Sequence, residues 1–340
     1  MPVRLSLAFV DIEAHRRTHS GDFLRRLFAV HCDVTDYWMA GPGPRHAVPL
    51  RQLNEHDAVF FFQGISPVAD LLRLTPPATW APMYDGEVFN YGYWRRLALA
   101  NVKALSFCRR LDNWAAHCGL PFLSVQYYMD PAPVAGLQGD PAVWFYWDRG
   151  GLPFSVVRRL FHREGVREVI YRPCADPGAR MEGPTPQDVQ RWNIRTVAND
   201  FVSREQLDAW LAEAGVVVCP RRKEGIGMAM VEALARGKCV VAYDEATANE
   251  YLTHGETGVL FTFREATPVS PERIVRVRER VLAHAAAGYL RWQRQAAEIL
   301  PFVLRPADTP PRASACLRLR QQLDYLSIAW RCAHERYWPR

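Results

Sequence analysis

No apolar run in these 340 residues approaches the roughly 18–20 needed to cross a bilayer, so the sequence offers no membrane-spanning helix. The eight cysteines, among them Cys32, Cys108, Cys174 and Cys239, contain no Cys-x-x-Cys pair, and several sit inside apolar runs. That excludes a zinc ribbon and a disulfide framework, and predicts reduced, buried thiols of a cytoplasmic protein. The first residues lack a basic start, an apolar core and a cleavage site, so no secretion signal is expected. No Asp-x-Asp, internal repeat or low-complexity tract occurs. There is no helix-turn-helix, zinc-finger or RNA-binding signature, so a net charge of +6 points to anionic small molecules or lipid rather than nucleic acid.

What is present is half apolar, at 49%, and long enough for two domains. Short strand-like runs alternate with helical segments throughout, which predicts α/β architecture with Rossmann-like parallel sheets. Strands are expected near Arg4–Val10, Cys32–Met39, Ala58–Gln63, Ala104–Cys108, Phe122–Tyr128, Ala142–Trp147 and Glu168–Tyr171, with an irregular stretch over Arg172–Thr185. Asp130 to Pro141 is rich in Pro and Gly and reads as a linker. Helices are expected over Ser270–Ala287, Tyr289–Val303 and Cys316–Cys332.

The most informative stretch runs from Val216 to Phe261. Three Val-rich runs, Val216–Cys219, Cys239–Tyr243 and Val259–Phe261, read as buried parallel strands. Between the first two lies a helix from about Gly227 to Arg236, stopped at Gly237. The loop Arg221–Gly227 therefore opens at the carboxyl end of a strand, where open α/β sheets bind ligands. Gly225 and Gly227 allow close backbone approach, and the N–H groups of Ile226 to Ala229 at a helix start favour phosphate. Arg221, Arg222 and Lys223 add positive charge. Glu224 and Glu232 stand about 12 Å apart at helical rise, near the span of a sugar–diphosphate–ribose unit.

Glu224-Gly225-Ile226-Gly227 followed by Glu232-Ala233-Leu234-Ala235-Arg236-Gly237 resembles the E-x7-E signature of glycosyltransferase family 4. His254-Gly255-Glu256-Thr257-Gly258 and Asn249-Glu250-Tyr251-Leu252 are similar to elements that follow in that family, and Ser203-Arg204-Glu205-Gln206-Leu207 to one that precedes. The resemblance is dense from Phe201 to Phe261. It departs at Ile226 (usually Phe) and Cys239 (usually Pro). It implies a GT-B fold: two Rossmann-like domains facing a central cleft, with C-terminal helices crossing back to the first domain. The expected divisions are 1–134 for an acceptor domain, 135–300 for a donor domain and 301–340 for the returning helical segment.

The same resemblance implies a retaining hexosyltransferase using a UDP- or GDP-type nucleoside-diphosphate sugar, with no obligatory cofactor or metal. The acceptor would be a glycan or a lipid-linked glycan, in surface polysaccharide or lipopolysaccharide synthesis. Glu224 would hold the hexose and Glu232 the ribose. Arg149, Gly150, Lys223, Gly225, Ile226, Gly227 and Met228 would hold the diphosphate. Arg149 matches the Arg of the family's G-R-x4-K, but Phe154 stands where the Lys is expected; Arg158, Arg159 and Lys223 are the substitutes considered. Asp85, after a strand end at Trp80, is the expected acceptor-side residue, with an Asp-Gly turn as the plain alternative. His15 and His19 are further acceptor or phosphate contacts to consider. Arg25-Arg26-Leu27-Phe28 and Tyr91–Leu97 mix Arg with aromatics and are considered for peripheral contact with an anionic membrane at its inner face. A nucleotide-sugar epimerase, a phosphorylase and a non-catalytic partner protein on this fold are the alternatives.

Overall fold

Val- and Phe-rich runs bounded by turns form strands buried on both faces, and in this protein they assemble into two all-parallel sheets. The computed structural model describes residues 4–40, 47–85, 91–134, 136–175, 179–198 and 202–307. The chain divides into two compact units, one of residues 1–125 with 294–340 and one of residues 126–293.

Unit 1 contains β1 (Leu5–Ile12), α1 (His15–Thr18), α2 (Asp22–Ala29), β2 (Cys32–Met39), α3 (Leu50–Leu53), β3 (Ala58–Phe62), α4 (Val68–Leu71), β4 (Ala78–Ala81), α5 (Tyr91–Leu97), β5 (Val102–Ser106), α6 (Arg109–Cys118) and β6 (Phe122–Ser124). Its sheet order is β2-β1-β3-β4-β5-β6. The order reverses between β1 and β3, and a cluster of buried Phe side chains, Phe9, Phe28, Phe60 and Phe62, packs beside that point.

Unit 2 contains β7 (Asp140–Asp148), α7 (Phe154–Val157), β8 (Glu168–Pro173), α8 (Pro186–Trp192), β9 (Ile194–Thr196), α9 (Arg204–Glu213), β10 (Ala214–Cys219), α10 (Met228–Ala235), β11 (Cys239–Tyr243), α11 (Ala248–Tyr251) and β12 (Val259–Phe261). Its order, β12-β11-β10-β7-β8-β9, is that of the dinucleotide-binding Rossmann sheet. The reversal falls between β7 and β10. The loop after β10 and the loop after β7 therefore meet at the position where such sheets hold ligands.

α12 (Pro271–Leu304) is one continuous helix with Pro301 inside it. The sequence expectation of a break near Tyr289 is corrected: Ile274, Val277, Val281, Ala285, Trp292 and Ile299 are buried along its length, so packing carries it past Gly288. The expected helix over Cys316–Cys332 lies outside the described residues. Residues from Arg294 onward group with unit 1. There Lys103, buried in β5, donates from Nζ to the carbonyls of Phe302, Val303 (3.0 Å) and Arg305, placing a cation on the last carbonyls of the helix.

Several short helices escape the sequence pattern, among them α3, α5 and α11. The short α1 lies in the expected Asp11–Gly21 loop, and α8 follows the expected irregular stretch, started by Thr185 and Asp188 as a capping box with Pro186 at the first helical position. Arg172 also leaves that stretch, since β8 extends through it to Pro173.

Candidate functional site

β10 ends at Cys219, and the chain then turns through Arg221–Gly227 into α10. Gly227 takes φ +73° and ψ 49°, a left-handed conformation that lets the loop enter the helix. The helix ladder begins with the Val231 N–H on the Gly227 carbonyl at 2.9 Å. The preceding N–H groups, those of Met228 to Met230, have no acceptor within the helix and carry its positive dipole end.

The loop is braced from the side. Thr247, fully buried after β11, donates from Oγ1 to the Glu224 carbonyl at 2.8 Å and to the Gly225 carbonyl at 3.2 Å. It holds φ +77° and ψ −66°, a conformation strained for a β-branched residue. The sequence reading missed Thr247. No pattern in Ala246-Thr247-Ala248 marks it, because its role depends on a contact 23 residues away.

Both expected carboxylates are largely buried. Glu224 accepts from Arg221 Nη1 at 3.1 Å, and each side chain is 18% exposed. Glu232 sits in a four-residue ion network. Its Oε1 accepts from Arg236 Nη2 at 2.7 Å and Nε at 3.2 Å, and its two oxygens also meet the Arg204 fork, with 3.2 Å from Nη1 to Oε2. Asp208 completes the network against both arginines. Two positive and two negative groups balance, which lets Arg236 lie almost fully buried. The sequence reading missed this Arg204–Asp208–Glu232–Arg236 arrangement, although the four-residue spacings within each helix carry half of it.

Arg149 follows β7 directly. Gly150 takes φ +83°, and a Cβ there would lie 2.7 Å from that of Ala179. Its N–H donates to Asp148 Oδ1 at 2.9 Å, and the Tyr171 hydroxyl donates to Asp148 Oδ2 at 2.9 Å. Burial raises the Asp148 pKa, and these hydrogen bonds oppose the rise. Cys219 links the two loops electrostatically: burial pushes its thiol up, Glu224 adds to that, and Arg149 opposes it.

Of the expected site residues, Arg149, Gly150, Lys223, Glu224, Gly225, Ile226, Gly227, Met228 and Glu232 all belong to unit 2, at the carboxyl edge of β7 and β10 or on α10. Ile226 is buried beneath the loop. Arg222 turns onto the rings of Tyr243 and Phe263, at 5.7 and 5.5 Å. Asp85 belongs to unit 1, in the turn beyond β4. Phe154 is fully buried against Tyr146 and Phe161. Arg158 pairs with Asp188 at 3.3 Å, and Arg159 donates to the Phe263 carbonyl.

In unit 1, the sheet reversal carries a second polar cluster. Asp11, fully buried at the end of β1, meets His15 Nδ1 at 2.6 Å and Arg25 Nη2 at 2.7 Å. Arg25 also pairs with Asp36 at 2.7 Å and lies over the rings of Phe9 and Trp38. Phe28 and Trp94, aromatics of the two stretches considered for a membrane face, are core residues. No described helix is long and apolar enough to cross a membrane, and no group of three metal-binding side chains occurs among the described residues.

Two parallel six-stranded sheets of these orders define an α/β chain of the GT-B type. Residues 196–276, the stretch holding α9, the loop and α10, match the model of the family described as glycosyl transferases group 1. Among solved structures, the chain is similar to HepE of Anabaena in complex with UDP and glucose, with 15% identity, TM-score 0.57 and coverage of 88% of this chain and 100% of that one. It is similar to sucrose-phosphate synthase of Thermosynechococcus elongatus, with 14% identity, TM-score 0.57 and coverage of 87% and 98%. It also resembles the lipopolysaccharide outer core galactosyltransferase WaaB in its apo form, with 11% identity, TM-score 0.56 and coverage of 88% and 99%. At such identities these likenesses speak to the fold. Comparison with curated protein sequences gives no match.

Proposed function

We propose that this protein is a glycosyltransferase that moves a hexose, with retention of anomeric configuration, from a nucleoside-diphosphate sugar to a glycan or lipid-linked glycan. One observation carries the reading. At the sheet reversal of unit 2, a left-handed glycine turns a cationic loop into a helix N-terminus, between two largely buried carboxylates. That stretch is also the one matching the glycosyl transferases group 1 model. A UDP complex of the similar fold HepE makes UDP the first donor nucleotide to try, with GDP next.

In this reading the N–H groups of Ile226 to Ala229, with Arg149 and Lys223, hold the diphosphate. Gly150 turns the loop after β7 against Ala179, and Gly225 gives the diphosphate room. Glu224 receives the hexose hydroxyls, and Glu232 the ribose. The acceptor hydroxyl attacks the anomeric carbon from the face the diphosphate leaves. A new C–O bond forms as the C–O bond to phosphate breaks, and the departing phosphate oxygen takes the hydroxyl proton. The protein's work is positioning and neutralising the leaving group's charge. Asp85 in unit 1 and the His15 cluster at its sheet reversal form the acceptor side. A role in surface polysaccharide or lipopolysaccharide assembly, at the inner face of a membrane, fits this chemistry.

The test is release of nucleoside diphosphate from a panel of UDP-, GDP- and ADP-sugars by the purified protein, with and without added glycan acceptors. Slow release from one donor, lost in Glu224→Gln, is expected. Release strictly dependent on inorganic phosphate would instead point to a phosphorylase, and interconversion of the free sugar nucleotide to an epimerase. No turnover of any donor would leave a non-catalytic partner protein as the reading.

A further inference from the structure

The loop after β7 holds Arg149, but the expected second cation position is Phe154, locked in the core on the opposite face of the sheet. Beside Arg149 the family's second cation is thus missing from this loop, and a neighbouring strand is the next place for one. The register of the sheet shows where to look. Val218 pairs with Tyr146 and Tyr146 with Tyr171, so the next rung carries Cys219, Trp147 and Arg172 side by side at the carboxyl edge. Alternation puts all three on one face, opposite the face where Val218, Tyr146 and Tyr171 pack with Phe154.

On that rung two guanidinium groups share one indole. Arg172 lies over the Trp147 ring at 4.4 Å and Arg149 over the same ring at 5.6 Å. Arg172 is only 3% exposed. The Trp147 indole N–H is buried and reaches no acceptor among the described residues. Burial lowers the Arg172 pKa and the charge of Arg149 lowers it further, so the two cations are close enough to repel. Arg149 is also within electrostatic reach of Cys219, at the root of the donor loop. A guanidinium seated over an aromatic ring offers a planar fork for bidentate contact with phosphate oxygens.

From this geometry we propose that Arg172 is a further diphosphate-binding residue, acting with Arg149 and Lys223 and taking the part of the absent Lys at position 154. It rests on the donor-site reading given above. It assigns to β8 a residue that lies outside the stretch matching the family model, and it makes Trp147 the plate on which both guanidinium groups are oriented.

Isothermal titration with UDP, GDP and uridine tests it, on wild type, Arg172→Met and Arg172→Lys, each checked by circular dichroism melting. Wild type is expected to bind one of the diphosphates. Arg172→Met should weaken that diphosphate at least tenfold, as loss of a charge-assisted bidentate contact does. Uridine binding should move less than threefold. If Arg172→Met does not keep the wild-type melt, Arg172→Lys serves: charge retained and fork lost, it should weaken the diphosphate about three- to tenfold. A diphosphate affinity within twofold of wild type in a folded variant overturns the assignment while leaving the donor site standing. Wild type that binds neither diphosphate overturns the donor-site reading itself, and this assignment with it.

Discussion

Thr247 donates its hydroxyl to the Glu224 carbonyl at 2.8 Å, tying the loop after β11 to the loop after β10. The bond holds the backbone of a carboxylate proposed to grip the donor sugar, and Thr247 keeps a strained left-handed backbone to make it. Thr247→Val preserves shape and removes the donor to both carbonyls, one of them buried. It should cost about 1–3 kcal/mol of stability and weaken donor binding, whereas Thr247→Ser should retain both. Urea unfolding with titration of the donor separates the two effects. A Val variant equal to Ser in both would show that the bond does not organise the loop.

Lys238 is fully buried and donates to the Leu137 and Ala214 carbonyls at 2.7 and 2.6 Å. Burial, then the charges of Arg236 and Arg278, lower its pKa to about 7. In the unfolded chain it titrates at its ordinary value of 10.5. Between these values the unfolded chain binds more protons, so this group makes stability rise with pH, by up to about 1.4 kcal/mol per unit. Below pH 7 the amine is charged in both states and the slope disappears. Above about pH 9 buried thiols such as Cys239, pushed up to about 12 by burial, act in the opposite direction. The clean window is therefore pH 7–9. Urea midpoints there should climb for wild type and be flatter for Lys238→Met.

Gly288 sits inside α12, where glycine normally weakens a helix by about 1 kcal/mol relative to alanine. A Cβ there would lie 2.3 Å from the Tyr128 ring. That ring packs on Tyr251 at 5.0 Å, and its hydroxyl lies 3.2 Å from His284 Nε2. Gly288→Ala should thus destabilise by about 1–3 kcal/mol despite its higher helix propensity. A rise in melting temperature would contradict the packing described.

Lys103 holds the last carbonyls of α12 from the centre of unit 1. Lys103→Met retains the apolar stem and loses the cap. Amide hydrogen exchange over residues 299–305 should accelerate while exchange in β3 stays slow. Equal protection in both proteins would mean that the apolar contacts of Ile299 and Val303 suffice.

The sheets and the donor loop were legible because Val218, Val241 and Phe60 lie in runs too apolar for anything but a buried strand. A turn as compact as Glu224–Gly227 before a helix also has few other structures. The resemblance named the same loop. The contacts that set its chemistry were not legible. Arg204 reaching Glu232, Thr247 reaching Glu224 and Arg172 stacking on Trp147 each join residues at least 23 positions apart. Nothing local distinguishes them from solvated side chains. α1 is a single turn with no side-chain cap, and α8 is about two turns whose start rests on the Thr185–Asp188 capping box, so neither is long enough to show a helical period. The join at Gly288 was misread as a break because its neighbour Tyr128 is 160 residues away.

The central claim is that the loop Arg221–Gly227 and the start of α10 hold a nucleoside diphosphate between Glu224 and Glu232. Isothermal titration of wild type and Glu232→Gln with UDP and GDP tests it most directly. One nucleotide should bind wild type at a single site, and the variant, which keeps a ribose-facing oxygen but loses the charge, should bind it about tenfold more weakly. Equal affinity in the two proteins, or no heat of binding for either nucleotide, would contradict it.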